Sequence, residues 1–308
     1  MWVVSMTRRD SASQGVAPQP KGSRGEWPMN GAVVVYVDSD AVLPAASWAA
    51  QQCRRIGAAL RLMGYTGDGI GQRHVAVVTL LHRVAADLRR RVPDIRITTG
   101  LLTGAAATAL IDLSAEASMI VIADAGSERE WSEAGALSWT LASHGRCPLI
   151  VWRSPASGAP SAPVVVGMDG SPVSVRALDF ALLQASTLRV PLVVVMAWSD
   201  VFFDSERQVI GVVTDWTTVA EGYRRLLAEQ LAGAQERFPD VRIERVLTHD
   251  RPVRALLKEA ATAQLLVVGS HGRGGFPGML LGSVSRALVD YSPCPLAVVR
   301  AAAVDEAA

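Results

Sequence analysis

Residues 265–300 read LLVVGSHGRGGFPGMLLGSVSRALVDYSPCPLAVVR, and this stretch decides the fold of the chain. It opens with a short apolar run, passes through a loop with six glycines, enters a helical pattern at Ser283 and closes with a second apolar run. Glycines let a backbone approach a ligand closely, and free N–H groups at a helix N-terminus supply donors and a partial positive charge. A strand, a glycine-rich loop, a helix start and another strand therefore predict a cradle for an anion.

The composition excludes several functional classes. Half of the 308 residues are hydrophobic and 19% are charged, which provides for a large core and room for two domains. A formal net charge of +1 gives no field for a nucleic-acid partner. The apolar runs are too short to cross a bilayer, and the opening MWVVSM is too short for a secretory signal. We therefore expect a cytoplasmic protein without a membrane partner.

Three cysteines, Cys53, Cys147 and Cys294, are widely spaced along the chain. They form no CxxC pair and show no metal-ligand spacing. We expect them to be buried reduced thiols, and the sequence predicts no metal site.

One series of strands and helices occurs twice along the chain. Its first copy has apolar runs at 33–38, 75–80, 95–102, 119–124 and 148–152, with a first helix predicted over Pro44 to Met63. Its second copy has apolar runs at 164–169, 191–198, 241–247, 265–272 and 294–300. Strands that alternate with helices predict an α/β fold with open, mostly parallel sheets.

The repeat also predicts the domain boundaries. The segment 154–163 is rich in Ser, Pro, Ala and Gly, as linkers are, and residues 1–30 have the composition of a flexible tail. We therefore place a first domain at 31–153, a second at 164–302 and a short tail at 303–308.

The spacing of the glycine loop narrows the choice of anion. Gly269 is followed after two residues by Gly272, and nine further residues lead to Gly282 and Ser283. No Gly-Lys-Ser/Thr follows, which excludes a P-loop, and Pro277 occupies the last glycine position of a GxGxxG motif. A loop that arches from a strand end to a helix start fits a polyphosphate.

This spacing closely resembles that of the universal stress protein family, whose nucleotide-binding members carry GxxG, nine residues, then GS or GT. The Asp-Gly-Ser after the run at 164–169 and the Cys-Pro before the last strand add to the resemblance, which covers nearly all of 32–302 as two domains. It implies two tandem five-stranded parallel sheets flanked by helices, each with strand order 3-2-1-4-5. In that order Asp169 and Gly269 stand at the two strand ends that flank the ligand crevice.

The resemblance implies that the second domain binds ATP or another adenine nucleotide. Asp169 would accept hydrogen bonds from ribose or adenine, and the backbone near Ala197 would meet the adenine ring. Gly269 and Gly272 would line the ribose and the phosphates. The outer phosphates would be held by Gly282, Ser283 and Val284. Arg273 or a magnesium ion (Mg²⁺) would balance the negative charge of the phosphates. Two alternatives stay open, in which Asp169 only satisfies backbone amides of a turn and Ser283 is only a helix cap.

The first copy departs from this pattern. Ala123 replaces the first glycine and Ala136 replaces the serine, while Gly126, Gly135 and the strand-end Asp38 remain. The loop between Gly126 and Gly135 carries Glu128, Glu130 and Glu133, which would repel phosphate. We therefore predict a degenerate first domain that binds ATP far more weakly or not at all.

Catalytic residues are not evident around the loop. No paired carboxylates, His-rich cluster or Ser-His-Asp set accompanies it, so a binding module is favoured over an enzyme. A slow ATP hydrolase remains an alternative, as does a scaffold that nucleotide stabilises and that binds an unknown protein partner.

The fifth strands, PLIVW and PLAVV, are apolar and carry no protective charge. In the family, the fifth strand pairs across a dimer interface, so the resemblance implies an intramolecular pseudo-dimer through these strands. Cys147 and Cys294 would then lie apart, and a homodimer of the whole chain remains open.

Overall fold

A computed structural model describes residues 31–67, 71–124, 133–155, 159–198, 216–273 and 280–300 of the chain. The first half consists of β1 (Val33–Val37), α1 (Leu43–Ile56), β2 (Leu60–Tyr65), α2 (Gln72–Arg91), β3 (Ile97–Leu102), α3 (Ala106–Leu113), β4 (Met119–Ala123), α4 (Glu133–His144) and β5 (Leu149–Trp152). The second half consists of β6 (Val164–Met168), α5 (Pro172–Leu188), β7 (Leu192–Trp198), α6 (Trp216–Leu231), α7 (Ala234–Arg237), β8 (Ile243–His249), α8 (Pro252–Ala260), β9 (Leu265–Gly269), α9 (Ser283–Tyr291) and β10 (Leu296–Val299).

The strands form one ten-stranded sheet in the order β3-β2-β1-β4-β5-β10-β9-β6-β7-β8. Within each half the strands are parallel and follow the predicted order 3-2-1-4-5. The two five-stranded halves meet where β5 pairs with β10 in the antiparallel sense. The α/β fold and its strand order are therefore confirmed, and the two predicted sheets are continuous with each other.

Each face of the sheet is covered by an apolar layer that extends across both halves. Along β1, Val33, Val35 and Val37 belong to one layer, while Val34 and Tyr36 belong to the other. A strand with helices on both faces buries every side chain, which is why the parallel strands read as continuous apolar runs.

The seam between the halves consists of more than the β5–β10 pair. On one face α4 and α9 pack together, where the indole N–H of Trp139 donates to Asp290 at 3.1 Å. The guanidinium of Arg286 lies 4.7 Å from the Trp139 ring centroid. The predicted pairing of the fifth strands is thus present within the chain, and pairing between two chains stays a prediction.

Arg153 holds the seam at the end of β5. Its guanidinium donates to the carbonyl oxygen of Val289 at 2.6 Å, at the C-terminal end of α9, and also pairs with Asp124 after β4. A cation at a helix C-terminus satisfies carbonyls that have no partner within the helix. The first half therefore caps a helix of the second half.

The second strand of the first half is not where the sequence pattern placed it. Residues 75–80 belong to α2, and β2 is formed by Leu60–Tyr65, whose first four residues the predicted first helix included. The β-branched run was misleading because α2 buries a helical stripe and leaves Val75 64% exposed. Helix α2 packs closely on this strand at Gly64, because a Cβ there would lie 2.5 Å from a methyl group of Val77.

All three cysteines are free and buried, as predicted. Burial raises the pKa of Cys53 and of Cys147 to about 12 and that of Cys294 to about 11. The thiols therefore stay protonated near neutral pH, which makes them poor nucleophiles. Among the described helices, none combines the length and apolar character that spanning a membrane requires.

Candidate functional site

A cavity of about 310 Å³ opens in the second half at the carboxyl ends of β6, β7 and β9. Strand β6 pairs with β7 on one side and with β9 on the other. The chain therefore leaves β6 toward one side of the sheet and later returns on the other, which opens a crevice between the strand ends. The cavity occupies this crevice.

The structure brings together every residue that the sequence assigned to the site. The residues shared by the prediction and the cavity wall are Asp169, Ala197, Gly269, Gly272, Arg273, Gly282, Ser283 and Val284. Residues 274–279 of the loop lie outside the described part of the chain.

Asp169 ties the end of β6 to the glycine loop. Its Oδ1 accepts the amide N–H of Ser171 at 2.9 Å, and its Oδ2 accepts the amide N–H of Arg273 at 2.9 Å. These contacts are the ones expected from the alternative that the sequence left open, in which Asp169 only satisfies backbone amides of a turn. A carboxylate has about four acceptor positions, however, so two remain for a ligand in the cavity that Asp169 lines.

Close contacts within the chain itself require glycine at the motif positions. A Cβ at Gly272 would lie 2.1 Å from Oδ2 of Asp169, and one at Gly269 would lie 2.9 Å from a methyl group of Val173. At Gly282 a Cβ would approach the Cα of His271 to 3.2 Å. The glycine spacing therefore reflects how closely the loop closes onto β6, α5 and itself.

Gly170 makes room for Arg273 at the mouth of the cavity. The φ of Gly170 is +84°, and a Cβ there would lie 2.0 Å from Nη2 of Arg273. Glycine is thus required on two counts in the Asp-Gly-Ser turn. The guanidinium of Arg273 lies over this turn, where it provides a positive charge beside the cavity.

The N-terminus of α9 forms the polar wall of the cavity. Its N-cap position is Gly282, and no side chain caps the helix. The amide of Gly282 donates to the carbonyl of Ser270 at 2.7 Å, so it is not available to a ligand, whereas Ser283, Val284 and Ser285 have amides without a hydrogen-bond partner among the described residues. Ser283 is therefore the first helical residue and not the cap.

The apolar wall was missed in the sequence. It consists of side chains from four elements: Met168, Val195, Pro252, Leu256 and Val268. Strand alternation could have identified Val195, because it lies two residues before Ala197 on the same face of β7. The contribution of α8 to the cavity wall could not be predicted from local sequence, since Leu256 reaches the cavity only through the packing of its helix on the sheet.

His271 also lines the cavity, although nothing in the sequence pattern assigns it a role. Its Nδ1 lies 3.1 Å from Oγ of the buried Ser270, a contact that orients the ring. The ionisable side chains that the described part of the chain contributes to the cavity wall are thus Asp169, His271 and Arg273. Among the described residues, no three His, Cys, Asp or Glu side chains are grouped to hold a metal ion.

The equivalent place in the first half is built differently. Ala123 ends β4 with 9% of its surface exposed, and the next residue, Asp124, pairs with Arg153. Helix α4 begins at Glu133, so Gly135 lies within the helix and not at its cap. The predicted acidic loop, with Gly126, Glu128, Glu130 and the side chain of Glu133, lies outside the described residues.

Comparisons with known proteins agree with this architecture. A family model described as "Universal stress protein family" matches residues 161–300. The chain is 38% identical to Universal stress protein Rv1996 of Mycobacterium tuberculosis over 237 residues, which is 75% of this chain and 74% of that protein. It is 39% identical to Universal stress protein Rv2005c of the same organism over 235 residues, which is 75% of this chain and 77% of that protein.

Solved structures resemble the chain in fold. A universal stress protein from Archaeoglobus fulgidus has a TM-score of 0.63 at 16% identity, with 90% of this chain and 98% of that one covered. The cytoplasmic domain of a prokaryotic cation chloride cotransporter has a TM-score of 0.52 at 11% identity, with 88% and 95% covered. Because a fold does not imply a function, the activity has to be argued from the site.

Proposed function

The chain belongs to the universal stress protein family, and from this premise we propose that it is a cytoplasmic regulatory module of the stress response that binds ATP in its second half. Occupancy of the site by the nucleotide would be the regulated quantity, and a protein partner would respond to it. The first half would carry no comparable ATP site.

The observation that carries this proposal is the polar wall at the start of α9. Three amides that have no hydrogen-bond partner in the described parts of the chain, those of Ser283, Val284 and Ser285, face a cavity at the carboxyl ends of parallel strands. A helix N-terminus with free amides favours an anion through hydrogen bonds and through the helix dipole. The outer phosphates of a nucleotide are the groups that we assign to these amides.

The opposite wall suits a base and a sugar. Val195, Ala197 and Leu256 provide apolar surface for an adenine ring, in a cavity of about 310 Å³ that is typical of small-molecule sites. The remaining acceptor positions of Asp169 suit ribose hydroxyl groups. An amphiphilic ligand with an apolar ring at one end and phosphates at the other matches both walls.

Magnesium fits this site only as part of the nucleotide. Among the described residues the cavity wall has one carboxylate, Asp169, whereas a dedicated cation site has several oxygen ligands. Mg²⁺ is commonly held by phosphates and one or two protein ligands, so the nucleotide would bring it. Arg273 would balance the remaining negative charge at the mouth of the cavity.

We expect ATP to stabilise the folded chain. A ligand of about 30 heavy atoms at ~0.3 kcal/mol per atom could reach about 9 kcal/mol, or sub-micromolar affinity. Millimolar ATP would then exceed Kd about a thousandfold and would raise the free energy of unfolding by ~4 kcal/mol. The measurement is thermal unfolding with and without ATP and magnesium. The Gly282→Glu variant, which places a carboxylate among the phosphate-binding amides, should show no shift, and an equal absence of shift in the wild type would contradict ATP binding.

We propose that the nucleotide is held and not consumed. Of the three ionisable side chains that the described residues contribute to the cavity wall, Asp169 is already engaged by two amides, and none of these described residues forms a nucleophile–base pair. Purified protein should therefore release no more phosphate from ATP than the Gly282→Glu variant does. Multiple turnovers by the wild type that the variant lacks would instead establish an ATP hydrolase.

A further inference from the structure

A second cavity, of about 420 Å³, lies at the amino ends of the strands in the first half. It opens where β2 and β3 begin, and its wall includes Arg61, Met63, Arg96, Thr98, Thr99 and Gly100. We call it the basic cavity. It lies at the opposite end of the strands from the candidate nucleotide site and in the other half of the chain, so neither the family motif nor the proposed ATP site accounts for it.

Register places two of its polar side chains on the same face of the sheet. Arg61 on β2 is the direct partner of Thr98 on β3, and Met63 is the direct partner of Gly100. Directly opposed residues of neighbouring strands point to the same face. A Cβ at Gly100 would lie 3.1 Å from the end of the Met63 side chain, so Met63 lies across Gly100 and closes the cavity on its inner side.

The second half provides an internal comparison. There Val193 takes the place of Arg61 and Glu244 takes the place of Thr98, because the two are paired in the same register. Arg242, which precedes β8 as Arg96 precedes β3, forms an ion pair with Glu244 at 3.1 Å. The second half therefore neutralises its arginine and buries a valine where the first half presents two arginines and a hydroxyl group.

The substitutions make the first half more positive at this place. Arginine in place of valine adds one positive charge, and threonine in place of glutamate removes one negative charge, a difference of two units. Neither Arg61 nor Arg96 forms an ion pair with any residue of the described chain, and Asp94, two residues before Arg96, does not pair with it. Both guanidinium groups are therefore available to an external anion.

Basic helix ends lie at the same edge of the sheet, on its other face. Helix α1 ends with Arg54 and Arg55, and α2 ends with the run 89–91. Burial and then the neighbouring Arg54 lower the pKa of Arg55. Asp87 offsets part of this charge through its pairs with Arg90 and Arg91. These two helices pack on the face of the sheet that bears Leu60 and Leu62, whereas Arg61 lies on the face of Met63, so their ends share the sheet edge with the cavity but do not line it. Helix α3, which packs on the cavity's own face, has Asp112 in its last turn.

We propose that the basic cavity binds a small phosphate-bearing anion through Arg61 and Arg96. The planar guanidinium group presents several N–H donors in the geometry that matches phosphate oxygens. The hydroxyl group of Thr98 is a further donor, since its hydrogen bond within the described residues is a long one, of 3.4 Å to the carbonyl of Leu60. The site is independent of the proposed ATP site and does not rest on it.

The test uses inorganic pyrophosphate as the probe and isothermal titration calorimetry of the full chain. Binding is measured in the wild type and in Gly282→Glu, where the proposed nucleotide site is blocked. In the Gly282→Glu background, where the basic cavity is the remaining phosphate site that we propose, we expect Arg61→Met and Arg96→Met each to weaken pyrophosphate binding at least ~10-fold. The control is Arg224→Met, which replaces an exposed arginine of α6 and should leave the affinity unchanged.

A second variant separates loss of binding from loss of fold. Thr98→Glu copies the second half, where the carboxylate pairs with the arginine, so it should abolish pyrophosphate binding while the thermal midpoint stays at or above that of the wild type. Thr98 is exposed, which makes the substitution sterically acceptable. With the nucleotide site blocked by Gly282→Glu, pyrophosphate binding that survives Thr98→Glu, or that Arg224→Met weakens as much as Arg61→Met does, overturns the proposal. A wild-type chain that binds no pyrophosphate overturns it as well, whatever the result with ATP.

Discussion

Replacing Gly272 with alanine is expected to weaken ATP binding at least ~30-fold, or by ~2 kcal/mol. The added Cβ would lie 2.1 Å from Oδ2 of Asp169, so the loop has to move away from the carboxylate. The 2.9 Å bond from the Arg273 amide to the same oxygen would be lost with it. Because Asp169 and the loop form adjoining parts of the cavity wall, the site would lose its shape. Titration calorimetry with ATP measures the change.

The matched control is Gly71→Ala, because a Cβ at Gly71 meets no atom within 4 Å. Its ATP affinity should equal that of the wild type. The unfolding temperature of Gly272→Ala without ATP shows whether the variant remains folded. If a folded Gly272→Ala chain binds ATP as tightly as the wild type, the contact between Asp169 and the loop is not part of the site.

Replacing Arg153 with methionine is expected to lower the free energy of unfolding by about 3 kcal/mol. The side chain of Arg153 is 14% exposed and that of its partner Asp124 is 19% exposed, so the substitution leaves a largely buried carboxylate without its guanidinium. The carbonyl of Val289 would also lose its donor. Equilibrium unfolding in urea measures the loss, and methionine retains most of the packing volume.

Arg146→Met is the control for this change, since Arg146 is an exposed arginine that lies near the start of β5. It should alter the unfolding free energy by less than ~0.5 kcal/mol. Adding Asp124→Asn to Arg153→Met should recover part of the loss, because the buried charge is then removed. A loss in Arg153→Met no larger than that in Arg146→Met would show that the seam does not depend on this arginine.

Helix α9 takes part in both the candidate nucleotide site and the contact with Arg153. Its first amides face the candidate nucleotide site, and its C-terminal carbonyl at Val289 is bound by Arg153 of the first half. The helix spans only Ser283–Tyr291, so its position depends on what holds both ends. The first half, whatever its own ligands, thus supports the geometry of the site in the second half.

The sequence predicted nine of the ten strands close to their observed positions. The exception was β2, where LRLMGY contains an arginine and a glycine and looks less like a strand than the run at 75–80 does. Local β-propensity favoured the wrong segment because the helix α2 is decided by its buried stripe, which includes Leu80, Leu81 and Val84. Propensity is a weak preference that tertiary packing overrides.

The polar residues of the candidate site were predicted because the glycine motif is local in sequence. Its spacing, from Gly269 to Ser283, brings a strand end and a helix start together within one loop. The spacing could not predict which backbone amides of the loop stay free for a ligand. That the Gly282 amide is already bonded to Ser270 depends on the path of the closed loop, which spacing alone does not determine.

The sequence by itself determined the repeat, the α/β class and the place of the glycine loop, because apolar periodicity and glycine spacing express short-range constraints. Only the tertiary structure decided that the two halves share one sheet, that Arg153 caps a helix whose carbonyl lies 136 residues away, and that Arg61 faces Thr98. These contacts join residues that are distant along the chain and carry no periodic pattern. They arise where packed elements meet, so they depend on the whole fold. The stretch at 265–300 therefore identified the anion cradle, and the fold supplied the apolar wall and the supports that complete it.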